Sequence, residues 1–300
     1  MPWSESPAEL ACARGERPEI VASPLGDLIG ILTPPAPGAA PNGRAVILLT
    51  RPRSHRNRMW VEGARRLALS GHHAFRFDYH GCGDSGGDSA YLDPNQPYRG
   101  DVVAAIRHLR ATHGLGRFVV FGSCFDARTA LSAFADEGDA LDGLVFVAAP
   151  VVELADMTLV RADHRDWKGL GGTLRNPENW RALASPARWA YMAKMVARMA
   201  RRSALGPEAT PELPLSRSFR EHFQALVRSR ARALFLYGRD DDEYRSFHVA
   251  ERTLFPKLSA ADRARFEIEV WPGHVHGFLE MTRQRETFQR VLAWIEALPA

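Results

Sequence analysis

The sequence predicts an α/β protein with a mainly parallel central sheet flanked by helices. Two observations carry this. Short, continuous apolar runs alternate with helix-period patterns from Arg44 to Ala148, and the same rhythm resumes at Ala233. Such runs suit strands buried on both faces, and strand–helix alternation implies parallel pairing with helical crossovers. The chain has 300 residues, 45% hydrophobic and 25% charged, an ordinary globular composition.

The elements follow in order. Residues 1–18 are polar and irregular, and read as a flexible N-terminal arm. Glu19 to Leu32 reads as a hairpin turning at Gly26-Asp27, and Pro34 to Gly43 as a surface connection. Arg44–Leu49 is a strand, Met59–Leu69 a helix stopping at Gly71, and Ala74–Phe77 a strand ending in Asp78-Tyr79-His80-Gly81-Cys82-Gly83-Asp84-Ser85. Tyr98 to His113 is an amphipathic helix with Val102, Ile106 and Leu109 on one stripe. The strand Phe118–Phe121 runs into Cys124, followed by a helix over Ala127–Phe134 and a strand over Leu144–Val147. After the interruption come strands at Ala233–Tyr237 and Phe266–Trp271. A closing helix places Phe288, Val291, Leu292 and Ile295 on one face.

The interruption sets the domain organisation. Residues 19–150 and 231–300 form the core, and 151–230 a helical lid or cap rich in Trp, Met and Arg. Ser185-Pro186 is a helix start, a capping residue followed by proline in the first turn. Beyond it Trp189, Met192, Met195, Val196 and Met199 form an apolar stripe. An amphipathic helix packed on the core accounts for that stripe. A lid reading goes further and makes Trp189, Met192 and Met195 the lining of an acyl pocket.

Charge and cysteine usage narrow the function classes. The net charge is +4, yet residues 151–230 alone carry 14 Lys+Arg against 8 Asp+Glu, a balance of +6 that leaves −2 elsewhere. A local basic surface points to an acidic partner or substrate. Scattered basic residues without a recognition motif argue against nucleic acid. No run approaches the about 18 apolar residues of a membrane span, and the first residues lack a signal-peptide pattern. The expectation is a cytoplasmic protein without a membrane partner. Cys12, Cys82 and Cys124 have neither metal-ligand spacing nor an even count, so free thiols are expected, with no metal and no cofactor.

In an open parallel sheet ligands bind beyond the carboxyl ends of the strands, and several polar clusters fall there. The first is Gly122-Ser123-Cys124-Phe125-Asp126. A strand that turns sharply into a helix holds its turn residue in a strained, exposed position and needs small neighbours two places away. Gly122 meets that need for Cys124. Ser123 is the rival nucleophile, but it would place the large Phe121 ring at the crowded position. An elbow cysteine can also serve simply as a small buried hydrophobe.

This elbow resembles the G-x-S-x-G turn of the α/β-hydrolase superfamily, with Cys124 at the nucleophile position and Asp126-Ala127 replacing the second glycine. The resemblance spans most of Arg44 to the C-terminus apart from the insertion. It implies an α/β-hydrolase fold with a helical lid, and a Cys124–Asp241–His276 triad. In that superfamily the acid stands three residues past the strand-end glycine. In Gly238-Arg239-Asp240-Asp241-Asp242 this selects Asp241, with Asp240 the alternative and Asp242 and Glu243 expected to face solvent. The His-Gly-Phe pattern selects His276 over His274. The oxyanion donors would be the N–H of Phe125 and, from the loop Thr50-Arg51-Pro52, the N–H of Arg51, since Pro52 has none. The stretch from Asp78 to Ser85 resembles the D-x-R-G-x-G-x-S turn of many members and reads as structural.

A thiolate nucleophile suits acyl transfer from another thioester, because attacking and leaving groups are then alike. A thioester also keeps its carbonyl reactive toward carbon nucleophiles. More narrowly, the Gly-Ser-Cys-Phe-Asp-Ala elbow and the Arg- and Trp-rich insertion resemble the off-loading Dieckmann cyclases of polyketide–peptide assembly lines. That resemblance implies that Cys124 takes a chain from the phosphopantetheine of an acyl or peptidyl carrier protein. Ring closure then releases a tetramic acid or pyridone. The alternative is a hydrolytic thioesterase or esterase, similar to the dienelactone hydrolases, using the same triad. A non-catalytic binding module with a degenerate elbow is the third reading.

Overall fold

The computed structural model describes residues 7–50, 59–88, 97–153, 156–157, 159–160, 186–205, 213–278 and 280–299. Its strands are β1 (Arg17–Val21), β2 (Leu28–Thr33), β3 (Arg44–Leu49), β4 (His73–Phe77), β5 (Arg117–Ser123), β6 (Leu141–Val147), β7 (Arg232–Gly238) and β8 (Phe266–Trp271). The principal helices are α1 (Pro7–Gly15), α2 (Met59–Leu69), α3 (Arg99–His113), α4 (Phe125–Ser132), α5 (Pro186–Leu205), α6 (Arg217–Arg228), α7 (Asp242–Thr253) and α8 (Met281–Glu296).

All eight strands form one sheet in the order β1-β2-β4-β3-β5-β6-β7-β8. From β4 to β8 every pairing is parallel, and the β1–β2 hairpin adds two antiparallel pairings at one edge. This is the sheet that the α/β-hydrolase resemblance implies.

The continuous apolar runs have the expected cause. Ala45, Ile47 and Leu49 enter one core cluster, while Val46 and Leu48 enter the cluster on the opposite face. β5, β6 and β7 repeat that division, for instance Phe118 and Val120 against Val119 and Phe121. Period-two alternation with both faces covered requires an apolar residue at every position. α2 and α8 cover one face, where Trp60 meets Phe121 with ring centroids 4.8 Å apart and also contacts Phe288. Residues of α3, α4, α6 and α7 enter the other cluster.

Two expectations need correction. Residues 7–15 are not a loose arm but helix α1, packed on α2 and burying Cys12 among Ala36 and Ala68. Glu16 then fixes the exit, pairing with Arg65 and Arg76 at 3.0 Å each. The second concerns the insertion over 151–230. Its last helix, α6, sends Phe219, Phe223 and Leu226 into the main core, and Val151, Val152, Met157, Val160 and Leu215 before it enter the same cluster. Residues 161–185 and 206–212, in the middle of that segment, lie outside the described residues.

Both ends of the insertion are clamped together. Val152 bridges Leu215, and the Ser216 N–H donates to the Val151 carbonyl at 2.9 Å. Beneath them the buried Arg128 of α4 donates to the Val152 carbonyl at 3.2 Å and to the hydroxyls of Ser216 and Ser218.

Candidate active site

The turn between β5 and α4 has one strained residue, and it is Cys124, with φ 53° and ψ −129°. Ser123 is still in the strand, paired with Val147. Non-glycine residues are rarely held at positive φ, and such strain gathers at functional sites. The reason for a small residue at Gly122 is visible: a Cβ there would stand 2.4 Å from the backbone C and O of Asp126 and 2.5 Å from the Ala127 N. The Cys124 N–H donates to the Val147 carbonyl at 2.8 Å, which fixes the turn against β6. Cys124 caps α4, so the helix N-terminus favours negative charge beside it, and the N–H of Phe125 is among those with no acceptor inside the helix.

Asp241 and His276 come together as expected, but not by the expected atoms. Asp241 is 1% exposed and accepts from the N–H groups of Gly238 at 2.8 Å, Val275 at 3.2 Å and His276 at 3.1 Å. It therefore holds His276 by the backbone. The ring facing Asp241 belongs to His274, whose Nδ1 lies 3.3 Å from Oδ1. The approach of the two loops needs Gly238, where a Cβ would stand 2.5 Å from the Gly273 carbonyl oxygen and 2.7 Å from Asp241 Oδ2.

Glu243 does not face solvent, which corrects the sequence expectation. It is 3% exposed, and its Oε1 lies 3.8 Å from His276 Nε2. It occupies the first turn of α7, where a carboxylate is favoured, but which way it turns depends on how α7 packs rather than on any local motif. A recess of about 510 Å³ opens beside the histidines, lined among others by Asp240, Asp241, Asp242, Glu243 and Glu280. Asp240, the alternative acid, is exposed, and Asp242 pairs with Arg245 at 2.8 Å.

Arg51, the expected second oxyanion donor, lies outside the described residues. The proposed lid residues divide. Met195 is buried and clusters with Met199 and Met192, while Trp189 is 60% exposed. α5 lies near the loop after β6: Asp156 titrates above the usual carboxylate range through burial and Glu153, with Lys194 and Arg198 opposing. The Asp78–Ser85 turn ties β4 to β2, since the Ser85 hydroxyl donates to the Asp78 carbonyl at 2.7 Å and accepts from the Ile29 N–H at 2.8 Å. Cys12, Cys82 and Cys124 form no disulfide among the described residues. Among the described residues no helix is long and apolar enough to cross a membrane.

The profile of the Hydrolase_4 family, described as serine aminopeptidase, S33, matches residues 41–276. No curated protein matches the chain by sequence. Among solved structures, an esterase of Pyrococcus furiosus aligns with 95% of this chain and 92% of its own at TM-score 0.60 and 18% identity. A proline iminopeptidase of Mycobacterium smegmatis aligns with 93% of this chain and 98% of its own at TM-score 0.57 and 18% identity. A serine hydrolase of Xanthomonas campestris, described as lacking a lid, aligns with 95% and 96% at TM-score 0.53 and 14% identity. Identities this low speak for a shared fold.

Proposed function

Because the chain belongs to the serine aminopeptidase S33 family of α/β-hydrolases, we propose that it is an acyl hydrolase of esters or thioesters with Cys124 as nucleophile. The observation that carries the reading is the strained backbone at Cys124, in the one turn where Gly122 lets a strand and helix meet so closely. The esterases among the structural neighbours support hydrolysis as the outcome.

In this reading His276 takes the thiol proton, and the thiolate attacks the acyl carbon. The N–H of Phe125, with Arg51 as second donor, holds the oxyanion. The leaving group departs with the proton from His276, and water cleaves the acyl-Cys124 thioester by the same route. Asp241 and Glu243 divide the work that one carboxylate does in a simple triad. Asp241 fixes the backbone of His276, and Glu243 faces its ring, so two buried carboxylates offset the charge of the imidazolium. His274, whose ring contacts Asp241, is the rival base.

The test is to trap the acyl-enzyme. A p-nitrophenyl ester or an N-acetylcysteamine thioester should add one acyl mass, located at Cys124 by peptide mapping. Acylation at Ser123, or turnover unaffected in Cys124→Ala, would overturn the assignment.

A second reading has one observation in its favour, the thiol where the family description names a serine. A thioester intermediate suits carbon–carbon ring closure, as in the Dieckmann cyclases, with the chain delivered by a carrier protein. Product analysis separates the two: a β-ketoamide thioester gives a linear acid by hydrolysis and a tetramic acid or pyridone by cyclisation.

A further inference from the structure

At the edge of the sheet that β1 forms, β1 and α3 bring three side chains of metal-ligating type to one point. Glu19 Oε2 lies 3.0 Å from His108 Nε2, and its Oε1 lies 3.1 Å from His113 Nε2. The three donor atoms all lie within 4.8 Å of one another. We propose that Glu19, His108 and His113 form a binding site for a divalent transition metal of the zinc class.

The chemistry of the donors sets the class. Two imidazole nitrogens and one carboxylate oxygen suit zinc, cobalt or nickel, whereas magnesium and calcium prefer all-oxygen sets. Donors around a tetrahedral zinc stand about 3.4 Å apart. Each ring lies near a different Glu19 oxygen, and with one atom taken from each residue the set spans up to 4.8 Å, so zinc would draw the rings together. Both rings turn Nε2 toward Glu19, and because a carboxylate only accepts, each Nε2–H donates to it. A metal bound there would displace that proton and leave Nδ1 carrying the ring hydrogen. All three side chains are 13–19% exposed, buried enough to be held and open enough to be reached. His113, five residues beyond His108, is the last residue of α3 before the left-handed Gly114.

The site joins a sheet edge to a crossover helix. β1 is the outermost strand, paired only to β2 in the sheet. A metal there would tie that edge to α3, so its effect is on stability and is independent of the reading of Cys124.

The experiment uses the full chain carrying Cys124→Ser, which removes the reactive thiol as a competing ligand. Zinc titrated against a chromophoric chelator should bind at one equivalent, and Co²⁺ should give the visible absorption of a tetrahedral nitrogen–oxygen site. His108→Gln, His113→Gln and Glu19→Gln should each weaken zinc by about tenfold or more and abolish the cobalt band. Absence of micromolar zinc binding, or affinity in all three variants unchanged from the parent protein, would overturn the proposal. Should a variant fail to fold, the unsubstituted residues give a second measure. Zinc should shield His108 and His113 from acylation by diethylpyrocarbonate, and shielding confined to His274 and His276 would count against the site.

Discussion

Position 124 shows how one residue's backbone can carry more information than its side chain. Cysteine gains nothing from φ 53°, so the strain must be imposed by the close meeting of β5 and α4 around Gly122. Gly122→Ala should therefore both destabilise the protein, by about 1–3 kcal/mol as overpacking does, and displace the thiol. Thermal unfolding and the rate of thiol alkylation would register the two effects, and an unchanged alkylation rate would sink the link between them. The two histidines pose a sharper question. His276 has the sequence context of the base, while His274 has the ring contact with Asp241. His276→Gln should lower kcat/KM by about 10²–10⁴-fold, with His274→Gln within a few-fold of the parent protein. The reverse ranking would assign the base to His274. The sequence identifies the loop but not which ring turns inward, because that depends on how Val275 and Phe278 seat in the core.

At the scale of elements, the strands were legible because burial on both faces leaves unbroken apolar runs, and β3 and β8 have the expected bounds. α1 was not: among its described side chains Cys12 is the buried one, set against Ala36 and Ala68, and no apolar stripe at helical spacing marks the segment. Glu243 was misread for a related reason: four consecutive acidic residues, Asp240 to Glu243, look alike in sequence, and only tertiary packing buries Asp241 and Glu243 among them. The clamp on the insertion was also invisible, because its parts lie far apart in the chain. Arg128 reaches Val152, where the insertion leaves the core, and Ser216, where it returns. Arg128→Ala removes these donors and should cost about 1–3 kcal/mol. If the insertion shapes the acyl pocket, the same change should raise KM for long-chain more than for acetyl esters. An equal effect on both substrates would separate the clamp from the pocket.

Over the whole molecule, two distributions of charge lead to tests. Burial, the leading cause, lowers the pKa of His72, His73 and His222 below the ordinary 6.5. In the unfolded chain these rings take a proton near that value, whereas the folded protein resists it. Their stability contribution is thus complete above about pH 6.5 and lost as the pH falls through it. The Tm should drop between pH 7.5 and 5.5, and His222→Gln should flatten the slope; a pH-independent Tm would refute this. The second distribution is the +6 balance of residues 151–230 on a chain of net +4. We propose that this segment receives an acidic carrier protein bearing the thioester substrate. Lys194 and Arg198 favour the carboxylate form of Asp156 against its burial, so part of the segment's basic charge acts within the protein itself. The remaining attraction should be long-range and screened by salt. Charge reversal at Arg198 and Arg202 should therefore raise KM for a carrier-bound thioester while leaving an N-acetylcysteamine thioester nearly unaffected. The difference should shrink at high ionic strength. Equal losses on both substrates would place the two arginines in the pocket or the fold rather than in docking.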